Sequence, residues 1–203
     1  MKLLMTSSGF YTDEIKEAFF ELIEDSPLNL NAVIITTASA QKENNRFAKK
    51  AHQEFKEMGF QKVQFLDVET DDASSLLDYH VLYINGGNPF HLLMNLKKSG
   101  ASNILKNLAK ENVVIVGVSA GAMVLGSNIQ VAQFFTPEMN TTKLKKLDAL
   151  KLTDKLVFPH YDREDLFRNK KSLTIEQRLL QFEQKMGQQV IRLKDDEFVL
   201  IKD

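Results

Sequence analysis

Ser119 stands at the centre of Gly117-Val118-Ser119-Ala120-Gly121, directly after the β-branched run Val113-Val114-Ile115-Val116. A buried parallel strand reads as such an apolar run, and the small or helix-favouring residues from Ala120 to Leu125 place the serine at a strand-to-helix corner. The spacing G-x-S-x-G is that of a nucleophile elbow. Small flanking residues let the turn close, expose Oγ and aim the next backbone N–H at a reacting carbonyl.

A serine nucleophile needs a base for its proton and donors for the oxyanion. Of the four histidines only His160 follows Ser119, and it ends the run Leu156-Val157-Phe158-Pro159. It is the expected general base; the alternative is a strand-end histidine bonded to a backbone carbonyl. His52 falls mid-helix among charges, His80 opens a strand, and His91 lies in a first helical turn where it faces either the site or solvent. Asn85-Gly86-Gly87-Asn88-Pro89 supplies a loop whose glycine N–H groups can approach a bound oxygen closely. The same residues make an ordinary helix start, with Asn88 as N-cap and Pro89 in the first turn. A phosphate cradle is the weaker reading, since neither a P-loop Lys-Ser pair nor G-x-G-x-x-G is present.

The orienting acid is open at this level. An acid ahead of the histidine points to the region of Glu138; an acid on the terminal turn Asp195-Asp196-Glu197 gives the order Ser, His, Asp. Asp162, two residues beyond His160, is a local possibility.

Around these residues, β-rich runs alternate with amphipathic segments. Strands are expected at 2–6, 32–37, 63–68 and 80–85, and helices at 11–25, 42–58, 89–97 and 104–109. That alternation predicts an α/β fold, a mostly parallel sheet with helices on both faces, binding ligands beyond the carboxyl ends of its strands. The turns after strands, 7–10, 37–40 and 86–89 among them, are therefore where a site is sought. Residues 133–148 are expected as a long loop or an excursion over the sheet edge, 172–186 as a helix, and 189–193 with 198–201 as a closing β-hairpin. No repeat or linker divides the 203 residues, so one domain spanning 1–203 is expected.

Composition narrows the chemistry. Lys and Arg number 26 against 27 acids, which offers no field for nucleic acid. Cysteine is absent, which removes disulfides, thiolate metal sites and a cysteine nucleophile. Neither a signal segment nor a membrane span is expected, and the cytoplasm is the default compartment. The expected partner is a small peptide substrate, with no cofactor or metal, no nucleic acid and no membrane, in a monomer or small homo-oligomer.

Gly86-Gly87-Asn88, Gly117 to Ala122 and Pro159-His160, in this order and spacing, resemble the serine peptidase family of dipeptidase E and cyanophycinase, family S51. The resemblance runs the length of the chain and implies a class I glutamine amidotransferase-like fold with serine in place of cysteine. It implies Ser119 as nucleophile, His160 as base, the N–H groups of Gly87 and Ala120 as oxyanion hole, and Asn88 shaping the carbonyl pocket. For the acid it favours Asp195, on a late turn ahead of an apolar strand. Glu138, in Thr136-Pro137-Glu138-Met139, is the competitor.

One position departs. Aspartyl dipeptidases carry an arginine after the histidine, then an acidic pair and a second arginine, the first pairing with the substrate carboxylate. This chain has Ile175-Glu176-Gln177-Arg178. Arg178, Arg163 or Arg168 is left to contact substrate, and strict aspartyl specificity is not expected. The activity implied is hydrolysis of short peptides; an esterase or amidase with the same residues, or a non-catalytic binding module, are the alternatives.

Overall fold

The computed structural model describes residues 1–168 and 172–202. Six strands form the main sheet: β1 (Lys2–Thr6), β2 (Asn31–Ile35), β3 (Lys62–Leu66), β4 (Val81–Ile84), β5 (Val114–Val118) and β8 (Phe198–Lys202), in the order β3-β2-β4-β5-β1-β8. The first five run parallel and β8 pairs antiparallel with β1. Strands β1, β4 and β5 are buried throughout, and the apolar sequences of β4 and β5, with the Leu3-Leu4-Met5 centre of β1, are what strands covered on both faces require.

Alternate side chains feed two cores. Leu82 and Ile84 of β4 pack on the face covered by α3 (Pro89–Lys98), α4 (Ala101–Lys110) and α5 (Ala120–Leu125). Val81 and Tyr83 pack on the face covered by α1 (Asp13–Phe20) and α2 (Arg46–Glu57). On that second face Phe10 is 2% exposed and meets Phe19, Phe55 and Tyr83 at ring-centroid distances of 5.0, 5.4 and 5.7 Å. Burying a phenylalanine contributes about 1.5–3 kcal/mol, so the turn after β1 is anchored by its own last residue.

The expected closing hairpin does not form. β7 (Val190–Leu193) pairs parallel with β6 (Leu156–Pro159) in a separate two-stranded sheet, while β8 joins the main sheet on β1. Both runs are short and apolar, and periodicity does not name a partner. Val190 and Leu193 gain burial beside β6, and β8 covers the edge of β1 that β5 leaves open. The turn between β7 and β8 is consequently fixed by two different sheets. Register sets Pro159 opposite Leu193, so the residues after β6 and those after β7 emerge side by side.

Residues 133–148 make an excursion of the expected kind: α6 (Gln130–Phe135), a 3-10 turn at Pro137–Met139, and irregular chain tied down by a bridge between Asn128 and Asp148. α7 (Ile175–Met186) starts with a capping box, in which Thr174 Oγ1 accepts from Gln177 N and Thr174 N donates to the Gln177 side chain, and ends at Gly187 with φ 64°. No helix among the described residues is long and apolar enough to cross a membrane.

Candidate active site

Ser119 sits between β5 and α5 with φ 51° and ψ −111°, a conformation L-residues seldom adopt and one that persists only where its surroundings enforce it. Here its N–H donates to Thr6 O at 2.9 Å and its carbonyl receives Met123 N at 3.0 Å. The tight approach of α5 explains the glycines. A Cβ on Gly121 would lie 2.0 Å from Ile84 O, and one on Gly117 would lie 2.8 Å from Gly121 O. Neither backbone contact can be relieved by turning a side chain.

His160 leaves β6 with φ 59°, and its Nε2 lies 3.1 Å from Ser119 Oγ. Its Nδ1 lies 2.6 Å from Asp195 Oδ1, short enough for a charge-assisted bond. Three side chains from three elements 41 and 35 residues apart thus form one hydrogen-bonded chain. Burial pushes the Asp195 carboxyl up, but hydrogen bonds from His160 and Ser8, with the charges of His160 and Arg163, outweigh it and hold the group below its usual value. It therefore stays an acceptor for the imidazole N–H at neutral pH.

The loop after β4 lies alongside. A Cβ on Gly86 would stand 3.2 Å from Ser119 Cβ and 3.7 Å from its Oγ. Gly87 has φ 144° and backs onto the turn after β2: an added Cβ would be 2.3 Å from Ala38 O, to which Asn88 N donates at 2.8 Å. Ala120, first in α5, has an N–H that no carbonyl of its own helix can accept. Asn88 caps α3, its Oδ1 accepting from Phe90 N and His91 N, while its Nδ2 donates to Met139 O at 2.7 Å. Its amide is thereby spent on the loop and on the 137–139 turn facing it.

The remaining expected residues are distributed as follows. Glu138 is exposed on its 3-10 turn, and the His160 Nδ1 that an orienting acid must meet is taken by Asp195. Asp162 contacts Asp195, accepting its backbone N–H at 3.2 Å. Arg178 is not free for substrate. It is 8% exposed, its Nη1 and Nη2 donate to Phe167 O at 2.7 Å and Phe135 O at 3.0 Å, and its guanidinium lies 3.9 Å over the Phe135 ring. Those contacts tie α6 and the 161–168 loop together. Ile175 is fully buried in the core, so no charge is wanted there. Arg163 is exposed and paired in fork fashion with Asp165.

The other histidines are engaged elsewhere. His91 meets Glu69 at 3.0 Å, His80 accepts Asn31 N at 3.0 Å, and His52 stacks on Phe65. Among the described residues no group of three or more His, Asp or Glu side chains converges to hold a metal. The turn 7–10 is among the places where a site is sought from the sequence, but no pattern there singles out Ser7 and Ser8. Serine is common in turns, and only geometry separates these two.

A parallel α/β sheet with a strained serine at a strand-to-helix corner, hydrogen-bonded to histidine and then carboxylate, defines the arrangement of a serine hydrolase. Comparison with known proteins makes the assignment narrower: the chain belongs to peptidase family S51, which matches residues 3–203, and is a serine peptidase. It is 30% identical over 166 residues to an uncharacterized peptidase of Listeria innocua, covering 80% of this chain and 78% of that one. Peptidase E of Shewanella sp. W3-18-1 is 33% identical over 91 residues, 45% of this chain and 37% of its own length. The fold superposes with TM-score 0.79 and 25% identity on a crystal structure of a Listeria monocytogenes EGD-e protein provisionally named peptidase E, over 98% and 93% of the two chains.

Proposed function

We propose that this peptidase hydrolyses short peptides, in the manner of a dipeptidase, through an acyl-enzyme on Ser119. The observation that carries the reading is the continuous contact from Ser119 Oγ through His160 to Asp195, 3.1 and then 2.6 Å. Ser119 Oγ attacks the scissile carbonyl carbon while its proton passes to His160 Nε2. Asp195 accepts the Nδ1–H bond, selects the tautomer with Nε2 free, and stabilises the imidazolium as it forms. The carbonyl oxygen, now an oxyanion, is received by the N–H groups of Gly87 and Ala120. The positive end of a short helix adds to them. His160 then protonates the leaving amine, and water activated by the same imidazole releases the acid.

Strict selection of an aspartyl side chain is not part of the proposal. Such a carboxylate needs an unoccupied guanidinium in a sheltered pocket. Arg178 is committed to two backbone carbonyls, Arg163 to Asp165, Arg168 is exposed rather than sheltered, and position 175 is a buried isoleucine. The test is labelling by a fluorophosphonate, which phosphonylates a nucleophilic serine with loss of fluoride, followed by a dipeptide-library screen. Ser119→Ala should abolish both labelling and cleavage while melting like the parent. Labelling that persists in the variant would sink the assignment of the nucleophile.

A further inference from the structure

Asp195 is held by more than the imidazole. Its Oδ1, which takes the His160 Nδ1 contact at 2.6 Å, also accepts from Ser8 Oγ at 2.8 Å. Its other oxygen faces Arg163 Nη1 at 3.6 Å, beyond a good hydrogen bond. Ser8 belongs to the turn after β1, the strand lying between β5, which delivers Ser119, and β8, which follows Asp195. Its neighbour Ser7 is 1% exposed, and the Ser7 hydroxyl accepts His160 N at 3.0 Å and donates to Leu193 O at 2.8 Å. Two consecutive serines therefore grip both halves of the acid–base pair: the main chain of His160 and the side chain of Asp195. Phe10, wedged in its aromatic cluster, keeps the turn from moving away.

The local chemistry makes the Ser8 bond consequential. Asp195 sits on a four-residue turn, and a carboxylate bonded by the imidazole alone can rotate about its χ2, which is a broad torsion. A second donor converging on the same oxygen fixes that rotation and leaves Oδ1 in line with Nδ1. Resting on the triad assignment above, we propose that Ser8 is a positioning residue of the active site, its hydroxyl setting the orientation of the Asp195 carboxylate that in turn orients His160.

The test is a double-mutant cycle read by the second-order rate of fluorophosphonate labelling, with thermal melts throughout. Ser8→Ala should label about tenfold more slowly than the parent, the effect of losing one hydrogen bond to a charged group. Ser8→Thr, which keeps a hydroxyl, should recover most of the rate. In an Asp195→Ala background, Ser8→Ala should change the rate less than twofold. The Asp195 carboxyl should also titrate at higher pH in Ser8→Ala, as removal of a donor to its charged form requires. Arg163, Asp162 and Asp165 from the turn after β6, and Lys194, Asp196 and Glu197 from its own turn, stay unchanged in that comparison. A Ser8→Ala protein that labels at the parental rate overturns the proposal. So does an equal loss in both backgrounds, or a Ser8→Thr variant no better than alanine, since either makes the role one of folding. Failure of the triad assignment looks different: Asp195→Ala would itself label normally.

Discussion

The choice between Asp195 and Glu138 as orienting acid is open to a decisive comparison, with alanine placed at each. Asp195 Oδ1 lies 2.6 Å from His160 Nδ1, and its side chain is 14% exposed. Removing a bond to an ionised partner costs about 1.5–3 kcal/mol, which is roughly 10- to 150-fold in rate. That is the minimum, because it counts only orientation in the resting enzyme. As Ser119 attacks, the imidazole gains a full charge, and at an effective dielectric of about 20 a unit charge at this separation is worth about 6 kcal/mol of attraction. Solvent entering the vacated space recovers part of it. Loss of the aspartate in an established triad lowers turnover by about 10⁴, so Asp195→Ala is expected to fall between about 10² and 10⁴ below the parent.

Glu138→Ala, an exposed change on a 3-10 turn, should stay within about twofold. The assay is labelling by fluorophosphonate at pH 7, backed by kcat/KM once a dipeptide substrate is identified, with urea melts confirming that both variants are folded. An Asp195→Ala protein within fivefold of the parent would refute the reasoning. Refutation would be complete if Glu138→Ala were the variant that failed, for then the 2.6 Å contact would be an ion pair without a catalytic task.

Two further outcomes follow from other parts of the structure. Gly87→Ala forces a Cβ to 2.3 Å from Ala38 O at a φ of 144°, and the clash is with backbone; a loss of about 2–4 kcal/mol in urea melts is expected, with labelling at least tenfold slower in the folded protein as the loop shifts from Ser119. A parental rate and stability would show that this glycine is a convenience. Arg192, on β7, bonds Glu176 at 3.0 Å and also bonds Glu183, and hydrogen bonding to this arginine holds both carboxyls below their usual values. A carboxyl depressed in the folded state stabilises fully above its unfolded pKa, about 4.3, and loses that contribution as pH falls through the folded value. Arg192→Gln should thus cost about 1–2 kcal/mol at pH 7, the gap to the parent narrowing as urea melts are taken down through pH 4 and 3; a gap independent of pH would contradict the assignment.

What the sequence disclosed about this site, and what it withheld, divides along a physical line. The β5 strand and the turn at Ser119 are written locally. A β-branched run, a serine and two glycines state a strand, a corner and a close approach, and each demand is met within five residues. Asn88 and Pro89 announce a helix start in the same local way, and α3 begins there. Asp195 is different, because its place beside His160 depends on partners far along the chain. Leu193 can lie beside Pro159 only if β7 pairs with β6, and the two closing apolar runs satisfy a hairpin pattern equally well. What decides between them is the burial offered by β6 to one and by the open edge of β1 to the other, which is a property of the assembled sheet. The Arg178 side chain teaches the same thing from the opposite direction. The family resemblance offers it as a stand-in for a substrate-pairing arginine, yet the carbonyls of Phe135 and Phe167 and the face of an aromatic ring, none of them marked by sequence pattern, make it a tie within the core. Ser8 is the extreme case: a turn serine like many others until β1 is set between the strand that delivers Ser119 and the strand that follows Asp195. Local sequence thus specifies which residues have the chemistry to react, and pairing between distant strands specifies which of them meet.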